Sequence, residues 1–84
     1  MATESEVLAV TNSSGTASFS ANCYYVEIYN SGSKTAYINF GSAATTNHFP
    51  IGPGETLKIA ANIADVRGIT AGSDTTTFQI IGTR

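Results

Sequence analysis

The sequence predicts an all-β protein, a compact antiparallel β-sandwich or small barrel of seven to eight short strands. Short segments in which apolar and polar residues alternate recur along the 84 residues, and clusters of Gly, Ser, Asn and Thr separate them. No stretch shows sustained helical periodicity. A chain of this length has room for one small domain. We assign that domain to residues 7–84, preceded by a flexible, polar N-terminal arm at residues 1–6.

The first half of the chain contains four predicted strands. Residues 7–10 and 16–20 flank the turn-forming sequence Asn-Ser-Ser-Gly. Residues 24–29 show the clearest alternation, and side chains two apart on a strand share a face. On this rule one face carries Tyr24, Val26 and Ile28, and the other carries Tyr25, Glu27 and Tyr29. After a turn at residues 30–33, a strand at 34–40 has Ala36, Ile38 and Phe40 on one face and Tyr37 on the other. We expect these last two segments to pair as a β-hairpin.

The second half contains three further predicted strands. Pro53, with a glycine on each side, forms a tight corner. The strand at 56–60 then directs Leu57 and Ile59 inward. A weaker strand at 66–70 is interrupted by a glycine, and residues 60–65 have a helical turn as the alternative to strand. The last strand, at 75–81, places Phe78 and Ile80 on one face.

Composition and charge exclude several classes of function. Charged residues make up 12 % of the chain, the net charge is −2 and the sequence pI is about 5.0, which is not the basic footprint of a nucleic-acid binder. No apolar run approaches the roughly 18 residues of a membrane helix. The acidic, polar N-terminus does not resemble a secretory signal peptide. We therefore expect neither nucleic acid nor membrane as a partner.

No catalytic, cofactor-binding or metal-binding residue is predicted. His48 is the only histidine and Cys23 the only cysteine, so a zinc site lacks ligands and an internal disulfide is impossible. No basic residue stands beside Cys23 in the sequence to activate its thiol. The six acidic residues are scattered. Their spacing alone does not exclude a pair of catalytic carboxylates, but such a pair needs a deep cleft that small domains seldom build. We expect a protein that is not an enzyme.

The tyrosines are the candidate binding residues. Tyr25, Tyr29 and Tyr37 are expected on the second face of the predicted hairpin, as a possible interface. Tyrosine is frequent at binding surfaces because it buries a large ring and keeps a polar group. Two other interpretations stay open: the face packs inside the monomer, or its rings stack on sugars as in a carbohydrate-binding module.

The rhythm of strands and turns resembles that of a known family. The resemblance lies in VEIYNSGS at residues 26–33, AYINFG at 36–41, IGPGET at 51–56 and VRGITAG at 66–72. These segments are similar to small β-proteins encoded in the structural modules of tailed bacteriophages, several of which are capsid decoration, or cement, proteins. The resemblance covers about residues 24–82 and brings no catalytic residue with it.

The resemblance implies a structural virion protein. It implies binding to the major capsid protein on the outside of an assembled head, as homotrimers near three-fold positions, after assembly in the host cytoplasm. Residues 1–6 are then expected to order on binding or to add a strand to a neighbouring edge, so that their deletion weakens attachment and leaves the fold intact. The alternative function is a small carbohydrate- or receptor-binding β module of a phage tail.

Overall fold

The computed structural model describes residues 2–84, which form eight antiparallel strands in two four-stranded sheets. The strands are β1 Thr3–Val10, β2 Gly15–Cys23, β3 Tyr25–Asn30, β4 Ala36–Asn39, β5 Phe49–Ile51, β6 Thr56–Ile59, β7 Ile63–Thr70 and β8 Thr76–Thr83. Sheet A has the order β1-β8-β3-β6, and sheet B has the order β2-β7-β4-β5. Residues 2–84 contain no helix. The predicted all-β class is confirmed, and the strands form a sandwich.

The strand order follows from one nested pattern of pairing. β1 pairs with β8, β2 with β7, β3 with β6 and β4 with β5, all antiparallel. The chain is therefore a long hairpin whose tip is the β4–β5 connection, rolled so that all other consecutive strands lie in opposite sheets. Two further pairings, β3 with β8 and β4 with β7, complete the sheets. This arrangement is the jelly roll, an architecture that viral capsid domains and lectins share.

The predicted hairpin between residues 24–29 and 34–40 is wrong. β3 belongs to sheet A and β4 to sheet B, and both edges of β3 are already occupied, by β8 and by β6. The apolar positions of the two strands face each other across the core from opposite sheets, so burying them does not require the strands to pair. The segment between the strands is an arch from one sheet to the other.

A buried asparagine fixes this arch. The Asn30 side chain is fully buried, and its Nδ2 donates to the carbonyl oxygens of Lys34 (2.7 Å) and Ile51 (2.8 Å). Its Oδ1 accepts from the Gly32 N–H (3.1 Å) and from the Thr76 hydroxyl (2.6 Å). One side chain thus connects β3, the arch, β5 and β8. A Cβ on Gly32 would approach the Thr76 Cα to 2.9 Å, so only glycine lets the arch come this close.

The core fills the space between the sheets with the inward side chains that the alternation predicts. Val26, Ile28, Ile38, Phe78 and Ile80 are buried, and Phe40, Leu57 and Ile59 pack partly buried against them. Tyr24 departs from the prediction: it precedes β3 and is 62 % exposed.

The predicted weak strand at 66–70 is the second half of β7, which begins at Ile63. Its glycine, Gly68, faces the core, where a Cβ would lie 2.8 Å from Cε2 of Phe78. The Phe78 ring therefore occupies the space that a side chain at residue 68 would need. The alternative of a helical turn at residues 60–65 is not adopted, because Ile63, Ala64 and Asp65 already belong to β7.

Residues 3–6, which we expected in a flexible arm, form the first half of β1 and pair with the last residues of β8. Glu4 holds this end of the strand: its carboxylate accepts from the Ser20 hydroxyl (2.8 Å), from the Ser20 N–H and from Arg84 Nη1 (3.0 Å). The backbones of Ala2 and Arg84 also exchange two hydrogen bonds of 2.9 Å. Deletion of residues 1–6 would therefore remove strand pairing, contrary to our expectation that it spares the fold. Met1 lies outside the described residues.

Replacing Asn30 with Asp tests the asparagine network. The change keeps the shape but replaces the Nδ2 donor with a carboxylate oxygen, an acceptor that faces the carbonyl oxygens of Lys34 and Ile51, and it buries a charge. We expect a loss of at least about 3 kcal/mol in the free energy of unfolding. Urea denaturation followed by circular dichroism measures it, since the chain has no tryptophan. The matched control is Asn47→Asp on the exposed β4–β5 loop, which should change stability little. Equal stability of the two variants would contradict the role of Asn30.

Glu4→Gln tests the contacts at the start of β1. Hydrogen bonds from the Ser20 hydroxyl and the Ser20 N–H, assisted by Arg84, lower the pKa of Glu4 below its usual 4.5. A carboxylate with a lowered pKa in the folded state contributes stability above its unfolded pKa and loses it as the pH falls through the folded value. Wild type should therefore lose more stability than the variant between about pH 7 and about pH 2.5.

The measurement is the urea midpoint at each pH, with Glu6→Gln on the same strand as the control. We expect the control to keep the acid sensitivity of wild type. If Glu4→Gln and wild type lose stability in parallel, the Glu4 contacts do not hold the strand.

Candidate functional site

The candidate interface tyrosines are divided between the two outer faces of the sandwich. Tyr25 and Tyr29 point outward from β3 in sheet A, 38 % and 43 % exposed. Tyr37 points outward from β4 in sheet B and is half-buried. The alternation within each strand was predicted correctly, but β3 and β4 do not share a sheet. The three rings therefore cannot form one surface, and each face needs its own description.

The outer face of sheet A, which we call face A, is apolar and aromatic. Its register places Val7, Gln79, Tyr29 and Thr56 in one row across the four strands, and Ser5, Ile81, Glu27 and Lys58 in the next. Val7 is 64 % exposed and Ile81 is 39 % exposed. Between these rows lies a shallow depression of about 360 Å³, which Tyr29, Gln79, Ile81 and Glu27 help to line.

Face A also carries a carboxylate with few protein partners. Glu27 accepts a hydrogen bond from the Tyr25 hydroxyl at 3.3 Å. Lys58 lies opposite it on β6, but within residues 2–84 the two side chains form no ion pair. Glu6 also lines the depression. The side chain of Glu6 alternates with that of Val7 and lies on the side of Leu8 and Val10. The floor is therefore apolar, and the outward charges of face A are Glu27 and Lys58, which are opposite in sign.

The outer face of sheet B, face B, has its charges neutralised. The four strands of this sheet contain two charged residues, Asp65 and Arg67. The Arg67 guanidinium donates to both carboxylate oxygens of Asp65, each at 3.3 Å. Tyr37 lies beside this pair, with Ile69 and Pro50 as its partners in the register. Face B thus presents a ring, apolar neighbours and an ion pair that needs no outside partner.

Asp65 also holds the loop at the tip of the roll. Its Oδ1 accepts from the Gly41 N–H at 2.8 Å. Partial desolvation opposes the ionised carboxylate. The hydrogen bonds from Arg67 and Gly41 and the charge of Arg67 favour it more strongly, so the pKa of Asp65 is lowered from its usual 3.8. The loop beside Tyr37 is therefore fixed before any partner arrives.

His48 and Cys23 have structural surroundings. The His48 Nδ1 accepts from the Thr45 N–H at 2.8 Å, and the His48 N–H donates to the Thr45 carbonyl oxygen at 3.0 Å, which closes a turn in the β4–β5 loop. Cys23 is buried, and its thiol donates to the Ala21 carbonyl oxygen at 3.7 Å. The pKa of Arg84 is raised most by its hydrogen bond with Glu4, and next by its interaction with the Cys23 side chain. A basic residue that is remote in sequence, directly after β8, therefore does neighbour the thiol.

Residues 2–84 contain no cluster of three or more His, Cys, Asp or Glu side chains placed to hold a metal ion. In the same part of the chain, no helix is long and apolar enough to cross a membrane. A second, smaller depression of about 180 Å³ opens between β5 and β6, beside Phe49, which is 59 % exposed. The two outer faces and this edge are candidate surfaces for binding.

No family model matches the chain, and no curated protein matches it in sequence. Function must therefore be argued from the faces themselves.

The neutral character of face B was not predicted from the sequence. The signal was present, because Asp65 and Arg67 stand two apart and share a face if residues 63–70 form one strand. Because the predicted strand begins at Val66, it leaves Asp65 outside.

An NMR titration tests the contacts of Asp65. Because the Gly41 N–H donates to this carboxylate, its amide shift should follow protonation of Asp65 with a midpoint below 3.8. Asp65→Asn should abolish the titration, whereas Asp74→Asn, in the β7–β8 loop, should leave it unchanged. A midpoint at or above 3.8, or a titration that survives in Asp65→Asn, would show that this network does not hold the loop.

Proposed function

We propose that the chain is a structural virion protein, a capsid decoration protein that binds the outer surface of an assembled phage head and stabilises it. The jelly-roll topology is one that viral capsid domains use, and the strand rhythm resembles that of phage decoration proteins. A fold by itself does not define a function. The properties of one outer face of the sandwich therefore carry the proposal.

The observation that carries the proposal is the neutral, preorganised character of face B. Permanent docking removes water from a surface, and each charge left without a partner makes that costly. On face B the charges of Asp65 and Arg67 already satisfy each other. Tyr37 supplies a ring with a polar group, a residue type enriched at interfaces. The Gly41 contact fixes the adjacent loop, so little conformational entropy is lost on binding.

Stabilisation of the shell follows from binding the assembled form alone. A ligand that has affinity for one state only shifts the equilibrium toward that state. A rigid domain that touches several shell subunits adds weak contacts through effective concentration. Docked through face B, the sandwich would leave face A directed away from the shell. The proposed partner is the major capsid protein. The protein itself would assemble as a homotrimer on the exterior of the virion.

The alternative is a carbohydrate- or receptor-binding module of a phage tail, which the depression on face A favours. Copy number separates the two functions, since decoration needs hundreds of copies per particle and a tail component only a few or tens. Reconstruction of the particle that carries this protein gives location and stoichiometry together.

Tyr37→Ala tests the docking face. Purified protein is added to heads of the same virus that lack it, and occupancy is measured by sedimentation and gel densitometry. We expect the variant to bind at least about tenfold more weakly, which corresponds to about 1.4 kcal/mol.

The matched control is Tyr29→Ala, which removes the same side chain from the opposite face and should leave occupancy unchanged. Thermal unfolding of both variants checks that the fold survives. Loss of occupancy in Tyr29→Ala but not in Tyr37→Ala would show that face A docks on the shell. Recovery of the protein with tails would support the alternative function instead.

A further inference from the structure

We infer that face A is a binding site for a neutral saccharide chain, with Tyr29 as its stacking platform. The inference does not depend on where the protein sits in a particle. It begins from the depression of about 360 Å³ on this face, a size within the range of about 300–1,000 Å³ that small-molecule sites occupy.

The floor of the depression fits the apolar side of a sugar ring. The ring of Tyr29 is 43 % exposed there, and the side chains of Val7 and Ile81 flank it from β1 and β8. A pyranose presents a face of C–H bonds, which packs on an aromatic ring as other apolar groups do. Stacking of this kind needs a rigid, open ring, and β3 supplies one because both of its edges are paired.

The polar groups around the floor fit hydroxyl groups. Gln79 is the register partner of both Val7 and Tyr29 and offers an amide that donates and accepts. The carboxylate of Glu27 accepts only, and its described protein contact is the Tyr25 hydroxyl at 3.3 Å. Ser5 adds a hydroxyl in the next row. A ligand that carries many O–H donors beside C–H faces satisfies both the floor and the rim.

The charge of the face selects against other ligands. The charged side chains on the outer side of face A are Glu27 and its register partner Lys58, which are opposite in sign, so the face has no net charge to attract a charged ligand. A dry protein interface would remove water from both of these charges, which form no ion pair within residues 2–84, and that is costly. These two considerations favour a neutral, hydroxyl-rich ligand over a charged ligand and over a second copy of the chain.

The direction of the ligand follows from β3. Tyr25 and Tyr29 point to the same side of this strand four residues apart, which is about 13 Å along a strand, and Glu27 lies between them. A short oligosaccharide lying along β3 would reach both rings and the carboxylate. A monosaccharide would reach only one ring and should bind more weakly.

The test is an NMR titration of the full-length protein, labelled with ¹⁵N, with neutral hexasaccharides. Three probes are used: a β-1,4-linked glucose hexamer, an α-1,4-linked glucose hexamer and a β-1,4-linked N-acetylglucosamine hexamer. We expect at least one to shift amides on β1, β3 and β8, with weaker binding of the corresponding monosaccharide. Tyr29→Ala should lower the affinity at least about tenfold. Tyr37→Ala, the matched change on face B, should not alter it.

Several outcomes would overturn the inference. These are no binding of any probe at millimolar concentration, shifts that map to face B, or equal affinities of Tyr29→Ala and wild type. A different outcome is binding of a lysine-rich peptide that Glu27→Gln abolishes and Tyr29→Ala does not. It would identify the face as a binding site for basic peptides instead. Head occupancy of the same variants is measured separately, so loss of sugar binding with normal occupancy distinguishes this site from the shell contact.

Discussion

The two sheets depend on the hydrogen bonds of one buried amide. Asn30 ends β3 in sheet A, and its side chain bonds to Ile51 in sheet B and to Thr76 at the start of β8. Its backbone N–H donates to the Glu55 carbonyl oxygen and its own carbonyl oxygen accepts from Gly54, so every polar group of the residue has a partner. A buried network that is fully satisfied specifies one arrangement, whereas a partly satisfied one is destabilising. The arch between the sheets and the turn between β5 and β6 are therefore set by the same residue.

This construction separates the two outer faces by a rigid layer of core side chains. Face B has neutralised its own charges in an ion pair, while face A carries two charges of opposite sign, Glu27 and Lys58, beside an apolar floor. The same sandwich thus offers one surface suited to dry contact with protein and another suited to a hydrated, hydroxyl-rich ligand. A protein that docks on one side and binds a soluble ligand on the other needs no conformational change, because the sites never compete for space.

The local alternation of apolar and polar residues predicted where the strands lie. Pairing between distant segments decided which sheet each strand joins. The alternation at Val26 and Ile28, and at Phe78 and Ile80, identified the core faces because burial follows the two-residue period. Nothing local shows that both edges of β3 are taken by β8 and β6, so the tyrosines were placed on one surface. Asparagine is a residue type typical of turns, so the sequence alone marks Asn30 as a turn residue. Its role in joining the sheets depends on hydrogen bonds with Ile51 and Thr76, which are distant in sequence. The first residues of β1 carry no apolar alternation, and contacts of Glu4 with Ser20 and Arg84 hold them in place.

The nested pairing has a consequence for the order of folding. β8 lies between β1 and β3, and the register joins Thr3 to Thr83 across almost the whole chain. Sheet A therefore remains two separate pieces on the ribosome until the last strand has been synthesised. Contacts this far apart in sequence make folding slow. During that interval the backbone N–H and C=O groups of β1 and β3 that β8 will pair with have no partner, so this is the stage at which nascent chains are most exposed to aggregation and most in need of a chaperone.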